Sequence, residues 1–217
     1  MTIIDHTHPR YIEMWNAQGV DRWNGAYYYS REIVRNIIPN VETDRNWVTI
    51  NIPGEACDHS VVFVHNNLYP QLYGWLREYR DVVMVCGVPS TCRKVAYACD
   101  AFCYLPLSID VEEIMAYQRS KDRDVCFVGR IAKHEGLDIP KGTVHLSAMP
   151  REELLPELAR YRRAYAVGRC ALEAKALGCE VLPYDPRFPD PDVWRVMDNR
   201  EAAAILQGQL DFIDGRG

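Results

Sequence analysis

The chain has 217 residues, 48% of them hydrophobic, which is enough to build one large domain or two small ones. A net charge of −5 and a pI near 5.7 demand no nucleic-acid partner, although a basic groove can sit within an acidic total. No uninterrupted apolar run approaches the roughly 20 residues of a membrane helix. The start, Met1-Thr-Ile-Ile-Asp5, lacks the basic region and apolar core of a secretory signal, so a cytoplasmic protein is expected.

In chain order, a helix is predicted over about Tyr27–Ile38, with Ile33, Val34, Ile37 and Ile38 at helical spacing and a stop at Pro39. Apolar, β-branched runs then predict strands at Trp47–Ile52, Ser60–His65, Asp81–Cys86 and Ala101–Leu105, with helices at Tyr69–Tyr79 and about Thr91–Cys99 between them. A charged segment, Ser108–Arg123, partly helical, reads as a hinge. Beyond it the pattern repeats: strands at Val125–Gly129 and Thr143–Leu146, a helix over Arg151–Arg163, a strand at Ala164–Val167, a helix at Ala171–Leu177 and a strand at Glu180–Leu182. A closing helix is predicted at Asn199–Ile213, with Ala202, Ala203, Ile205, Leu206, Leu210 and Ile213 as packing positions. Alternation of strand and helix argues for parallel sheets covered on both faces. The expected fold is therefore α/β: two small Rossmann-like halves facing a cleft, residues 1–108 and 109–217.

The cysteines are Cys57, Cys86, Cys92, Cys99, Cys103, Cys126, Cys170 and Cys179, most of them within apolar runs. None forms a C-x-x-C pair, and no His or Cys cluster completes a zinc set around Cys99 and Cys103. Reduced, buried thiols and no metal site are expected.

The most telling stretch is Arg163-Ala-Tyr-Ala-Val-Gly-Arg-Cys-Ala-Leu-Glu-Ala-Lys-Ala-Leu-Gly-Cys-Glu-Val-Leu-Pro183. It reads as a glycine turn, a short helix ended by Gly178, and a buried strand. A small-residue helix packs close to a sheet, and its N-terminal amides can face a phosphate or a sugar. Glu173, in the first turns, can accept hydrogen bonds from vicinal hydroxyls; the alternative is an ordinary αβ unit with Glu173 solvated. Val125-Cys-Phe-Val-Gly-Arg130 is a buried strand running into Gly129, which allows close backbone approach, and Arg130, which offers a fork of donors for phosphate. The alternative for Arg130 is an exposed strand end. Val61-Val-Phe-Val-His-Asn-Asn67 ends a strand at His65 and Asn66, where a proton relay, a sugar contact or a mere helix cap are all compatible with the residues. Arg160, Arg162, Arg163 and Arg169, with Tyr161 and Tyr165, read either as an anion-binding patch or as a solvated helix end.

The segment around Gly168, Leu172, Glu173, Ala174, Gly178 and Val181 resembles the donor-binding segment of retaining glycosyltransferases of the two-domain GT-B fold. The resemblance covers about Leu105–Pro183, extending to the apolar, Pro-bearing crossing Leu105-Pro-Leu-Ser-Ile-Asp110 and to the Gly129-Arg130 strand end. It implies that Glu173 grips the ribose of a nucleotide-sugar, that Gly168 and Arg169 belong to the donor-binding turn, and that Arg130 with Lys133 holds the donor diphosphate. It also implies an acceptor side in the first half, with Gly25 in an N-terminal glycine loop, Asn66 nearby and His65 as the catalytic candidate. Where the family usually has a second glutamate, eight positions before Glu173, this chain has Tyr165.

The resemblance implies a minimal glycosyltransferase, retaining and metal-independent, with a nucleotide-sugar as co-substrate and no other cofactor. Short members of this kind also occur in bacteriophages, so the setting extends to a phage-infected bacterial cell and a DNA base enters as one acceptor class among those left open. Two other readings remain: a non-catalytic nucleotide or nucleotide-sugar binding module, and an assembly protein that keeps only the fold.

Overall fold

A computed structural model describes residues 3–4, 31–49, 57–64, 78–87, 101–129, 139–147 and 149–216. The chain forms two compact units, Met1–Leu107 with Asn199–Gly217, and Ser108–Asp198. Each contains one sheet in which every paired strand is parallel. The protein is thus α/β with Rossmann-like halves. Among the described residues, no helix is long and apolar enough to cross a membrane.

In the first unit, β1 (Ile3–Ile4), β2 (Asn46–Val48), β3 (Ser60–Val64), β4 (Val82–Cys86) and β5 (Ala101–Tyr104) lie side by side in chain order. Every residue of β3 and β4 is buried. That is why these strands read as unbroken apolar runs rather than alternating ones: a parallel sheet is covered on both faces. Trp47 on β2 stacks against Phe63 on β3, ring centres 5.9 Å apart, at the heart of this core.

The helix expected to stop at Pro39 behaves differently. Arg31 and Glu32 are helical, Ile33–Ile37 widens to a π-turn, and Ile38–Asn40 continues as a 3₁₀ turn with Pro39 inside it. Proline is tolerated there because an amide in a first turn has no intrahelical partner to lose. The expected helices at Tyr69–Tyr79 and Thr91–Cys99 lie outside the described residues, apart from the end of the first.

The closing helix, here α4 (Asn199–Ile213), has the expected bounds and buries Ala202, Ala203, Leu206 and Leu210. It packs on β5 and on the turns preceding β2, and so belongs to the first unit, although it follows the second in sequence. The expected division at 108/109 grouped it with the second half; the chain instead leaves the first unit after Leu107 and re-enters it at Asn199.

The far end of α4 is tied down by charge. Arg45, 4% exposed, donates through Nε and Nη2 to Asp214 Oδ1 at 3.0 and 2.6 Å, and through Nη1 to Asp81 Oδ1 at 2.9 Å. Removing one partner of such a buried pair costs about 3–5 kcal/mol. Asp81 also lies 2.5 Å from His59 Nδ1, while His59 Nε2 lies 3.3 Å from Asp44 Oδ1. His59 and Asp81 have φ of 51° and 56°, the left-handed region, and each immediately precedes a strand. The two kinks face each other, with the Ser60 amide donating to Asp81 O and the His59 amide to Arg80 O.

The hydrogen bond to Asp81 holds the His59 imidazole above its ordinary value of 6.5, with desolvation opposing and Asp44 assisting. A raised histidine stabilises the fold fully below about pH 6.5 and loses that contribution as pH rises through the folded value. The same bond lowers Asp81, whose contribution is present above its ordinary value of 3.8 and fades as pH falls through the lowered one. The clasp is therefore strongest between those limits. Urea unfolding at pH 6.0 and 8.5 should show wild-type protein losing stability on going to the higher pH, whereas His59→Asn should lose less; equal slopes for the two would remove His59 from the account.

The second unit holds β6 (Arg123–Val128), β7 (Val144–Leu146), β8 (Tyr161–Tyr165) and β9 (Glu180–Leu182) in the order β7-β6-β8-β9. Its helices are α1 (Val111–Met115), α2 (Arg151–Leu158) and α3 (Arg169–Ala176). The helix expected to run to Arg163 ends at Leu158, and the strand starts at Tyr161 rather than Ala164. Pro156 removes one helical donor near the end, and Tyr161-Arg-Arg-Ala-Tyr165 is claimed by pairing with β6 on one side and β9 on the other. Among the described cysteines none is in a disulfide; Cys86, Cys103, Cys126 and Cys179 are buried, and burial pushes the Cys126 thiol up to about 12.

Candidate functional site

The order of the second sheet reverses at β6. The chain goes one way from β6 to β7, then returns past β6 to β8 and on to β9. In open α/β sheets, the place where the order reverses leaves a crevice beyond the carboxyl ends of the two strands that flank it. Here those strands are β6 and β8, and glycines follow both. Right-handed crossovers place α2, between β7 and β8, and α3, between β8 and β9, on the same face of the sheet.

Gly129 directly follows β6 with φ of 139° and donates to Leu146 O at 3.3 Å. Gly168 opens α3 with φ of 62° and ψ of −137°, a conformation that excludes ordinary side chains. Its carbonyl accepts from the Ala171 and Leu172 amides, so the glycine turn and the helix start are one structure. At the other end, Gly178 takes φ of 77° and the Cys179 amide reaches back to Ala174 O, giving the expected glycine stop.

Register sets an aromatic row beside this edge. Phe127 on β6 pairs with His145 on β7 and Tyr165 on β8, so the three side chains share one face. Phe127 packs against His145 at 5.4 Å and meets Tyr184 edge-on at 5.2 Å. Burial pushes the Tyr184 phenol up, leaving its hydroxyl a donor at ordinary pH.

Glu173 is only 3% exposed, so it is not the solvated residue of the ordinary reading. Arg151 Nη1 donates to Glu173 Oε1, and Arg169 Nε donates to the same oxygen at 2.8 Å. Arg151 Nε also lies 3.9 Å from Glu113 Oε1. Glu113, Arg151, Glu173 and Arg169 thus form a ladder of alternating charge through α1, α2 and α3. Arg151 and Arg169 are each the first residue of a helix, where the dipole disfavours a cation, and the glutamates offset that cost. Arg151 is the residue that sequence reasoning missed. Its signal was a cation at a helix start immediately after Pro150, which calls for an anion from elsewhere; the partner is 22 positions away in the chain.

Of the two readings of the arginine cluster, the anion-binding patch does not hold together. Arg160 precedes β8 and pairs with Asp122 and Glu157, Arg163 pairs with Asp124, and Arg169 lies beyond the other end of the strand. A five-residue strand, about 16 Å long, separates the first from the last. A groove of about 670 Å³ also lies at this amino edge, lined by Arg119, Asp122, Glu153, Glu157 and Arg160. Its Asp122, Glu157 and Arg160 already satisfy one another.

Of the candidate residues, the structure brings Gly168, Arg169 and Glu173 together and sets Gly129 on the adjacent strand end. Arg130, Lys133, Gly25, His65 and Asn66 lie outside the described residues. Among the described residues no group of three His, Cys, Asp or Glu side chains is placed to hold a metal ion.

Gly168→Ala should lower the unfolding free energy by about 1–3 kcal/mol, the cost of forcing a side chain into that backbone region. Denaturant titration measures it, and an unchanged midpoint would mean the turn relaxes without strain.

No protein-family model, curated protein or solved structure matches the chain.

Proposed function

We propose that the second unit binds a nucleotide-sugar at the β6/β8 crevice and that the chain is a glycosyltransferase of GT-B-like arrangement. The observation that carries this reading is Glu173: a buried carboxylate just inside a helix that starts with a glycine turn at the reversal of strand order, within a segment resembling the donor-binding segment of retaining enzymes. In this reading Glu173 accepts hydrogen bonds from the ribose. The helix start behind Gly168, with Arg169, favours the phosphates. Arg130 and Lys133 stabilise the charge that develops on the departing diphosphate, which is where transfer gains most. The acceptor is met by residues of the first unit, with His65 as the acid–base candidate beside Gly25 and Asn66. A DNA base stays within the acceptor classes this reading admits. The reaction retains configuration and is assigned no metal.

A second reading, a non-catalytic nucleotide-binding module, is favoured by one observation: Tyr165 occupies the place of the family's other glutamate and sits in the aromatic row of the sheet. Calorimetry with UDP, GDP and ADP and their sugars, followed by assay of donor hydrolysis, separates the two. Binding with slow hydrolysis supports the enzyme, binding alone supports the module, and no binding removes both.

Glu173→Gln should weaken nucleotide binding by about 1–3 kcal/mol, the scale of a hydrogen bond to a charged group. Because the substitution also disturbs two arginines, melting must be recorded in parallel; affinity unchanged in folded protein would count against the ribose contact. Arg130→Ala should cut turnover at least tenfold while moving stability little, as expected for a residue whose task is to bind the diphosphate. A variant that unfolds readily but turns over normally would make Arg130 structural.

A further inference from the structure

We propose that Arg151 is a positioning residue: it fixes Glu173 through one carboxylate oxygen so that the other is kept for the vicinal hydroxyls of a ligand. The inference rests on the nucleotide reading above and assigns a task to a residue outside the segment that suggested it.

Both arginine bonds to Glu173 end on Oε1. No hydrogen bond from a described residue reaches Oε2. Arginine facing a carboxylate commonly engages both oxygens with parallel N–H donors, and a pair that served only to neutralise charge would gain by doing so. Here two guanidinium groups share one oxygen, which leaves the second as an acceptor on a side chain that is almost wholly buried. An acceptor to which no described residue donates is available to a ligand hydroxyl. A single carboxylate oxygen has two lone pairs and can accept from both hydroxyls of a cis diol.

The two arginines have different parts in this arrangement. Arg169 is on the same helix as Glu173, four residues before it, and moves with it. Arg151 comes from α2, and its Nε lies 3.9 Å from Glu113 Oε1 on α1. It therefore fixes the carboxylate relative to the rest of the unit, including the β6 and β8 strand ends. Freeing a glutamate side chain from such a hold returns rotamer freedom that binding must then remove.

The test is calorimetry of wild type, Arg151→Gln and Arg151→Lys with UDP, GDP and ADP and with the 2′,3′-dideoxy form of each, alongside thermal melting. Wild-type protein should prefer the ribonucleotide that binds over its dideoxy form by about tenfold or more, as loss of hydrogen bonds to a charged group predicts. Arg151→Gln should bring that preference close to one, mainly by weakening the ribonucleotide, while dideoxy affinity changes little. Arg151→Lys, which keeps the charge and a single donor point, should recover part of the preference. A general loss of structure would lower both affinities together and leave their ratio intact.

Preserved discrimination in folded Arg151→Gln overturns the inference and leaves the nucleotide reading standing. Should that variant fail to fold, the ratio in Arg151→Lys decides, and a wild-type ratio there is the overturning result. Wild-type protein that binds a nucleotide without discriminating against its dideoxy form overturns the inference together with the ribose contact of Glu173, and leaves nucleotide binding itself standing. Wild-type protein that binds no nucleotide overturns the functional reading and this inference with it.

Discussion

Because all the paired strands run parallel, no two neighbours can be joined by a tight turn, and each connection must cross a sheet face. That one constraint organises both units. It buries β3 and β4 on both sides, it sets helices at strand ends, and through the handedness of crossovers it decides which helices share a face. In the first unit the strands follow chain order, so no reversal occurs among the described strands. In the second unit the order turns back at β6. The same local pattern of strand and helix thus yields a reversal of strand order in one sheet and none among the described strands of the other, and the difference lies in strand order rather than in composition.

Both units fasten their short or late helices with arginine. Arg45 joins the start of β4 to the residue after α4, and Arg151 joins α2 to α3. The two devices differ in what they leave over. Arg45 spends all three of its nitrogens on carboxylate or carbonyl oxygens of Asp81 and Asp214, and Asp81 turns its second oxygen to His59. That network is closed on itself. In the Glu173 ladder both arginine bonds end on Oε1, and no described residue donates to Oε2. Closure suits a structural clasp, and asymmetry suits a site that expects a further partner.

Much of the fold was legible in the sequence because burial on both faces writes an unmistakable signal. The runs at Ser60–Val64 and Val82–Cys86 could hardly be other than parallel strands, the buried Cys126–Val128 marks the end of another, and α4 declared its bounds through its apolar spacing. The errors came where propensity and pairing compete. Tyr161-Arg-Arg-Ala-Tyr165 is charged enough to continue a helix, and only its two neighbours in the sheet make it a strand. The unit to which α4 belongs was not legible either, since amphipathic spacing says that a face is buried but not against what. Around the site, the glycine turn and Glu173 could be picked out from a continuous motif. Arg151 could not be paired with Glu173, because that contact joins two helices and exists only once they share a face.

Burying a carboxylate with two guanidinium groups is an expensive way to hold helices together. Ion pairs of this kind are often replaceable by apolar side chains of similar volume with no loss of stability, and sometimes with a gain. Its neighbours in the chain, Ala171, Leu172 and Ala174, are apolar and buried as well. The ladder therefore explains itself poorly as packing alone. It explains itself better as a means of presenting a charged acceptor at a fixed place, next to a glycine turn and a helix start that both suit an anionic ligand. On that argument the arginines are the cost of keeping a carboxylate at the strand-order reversal.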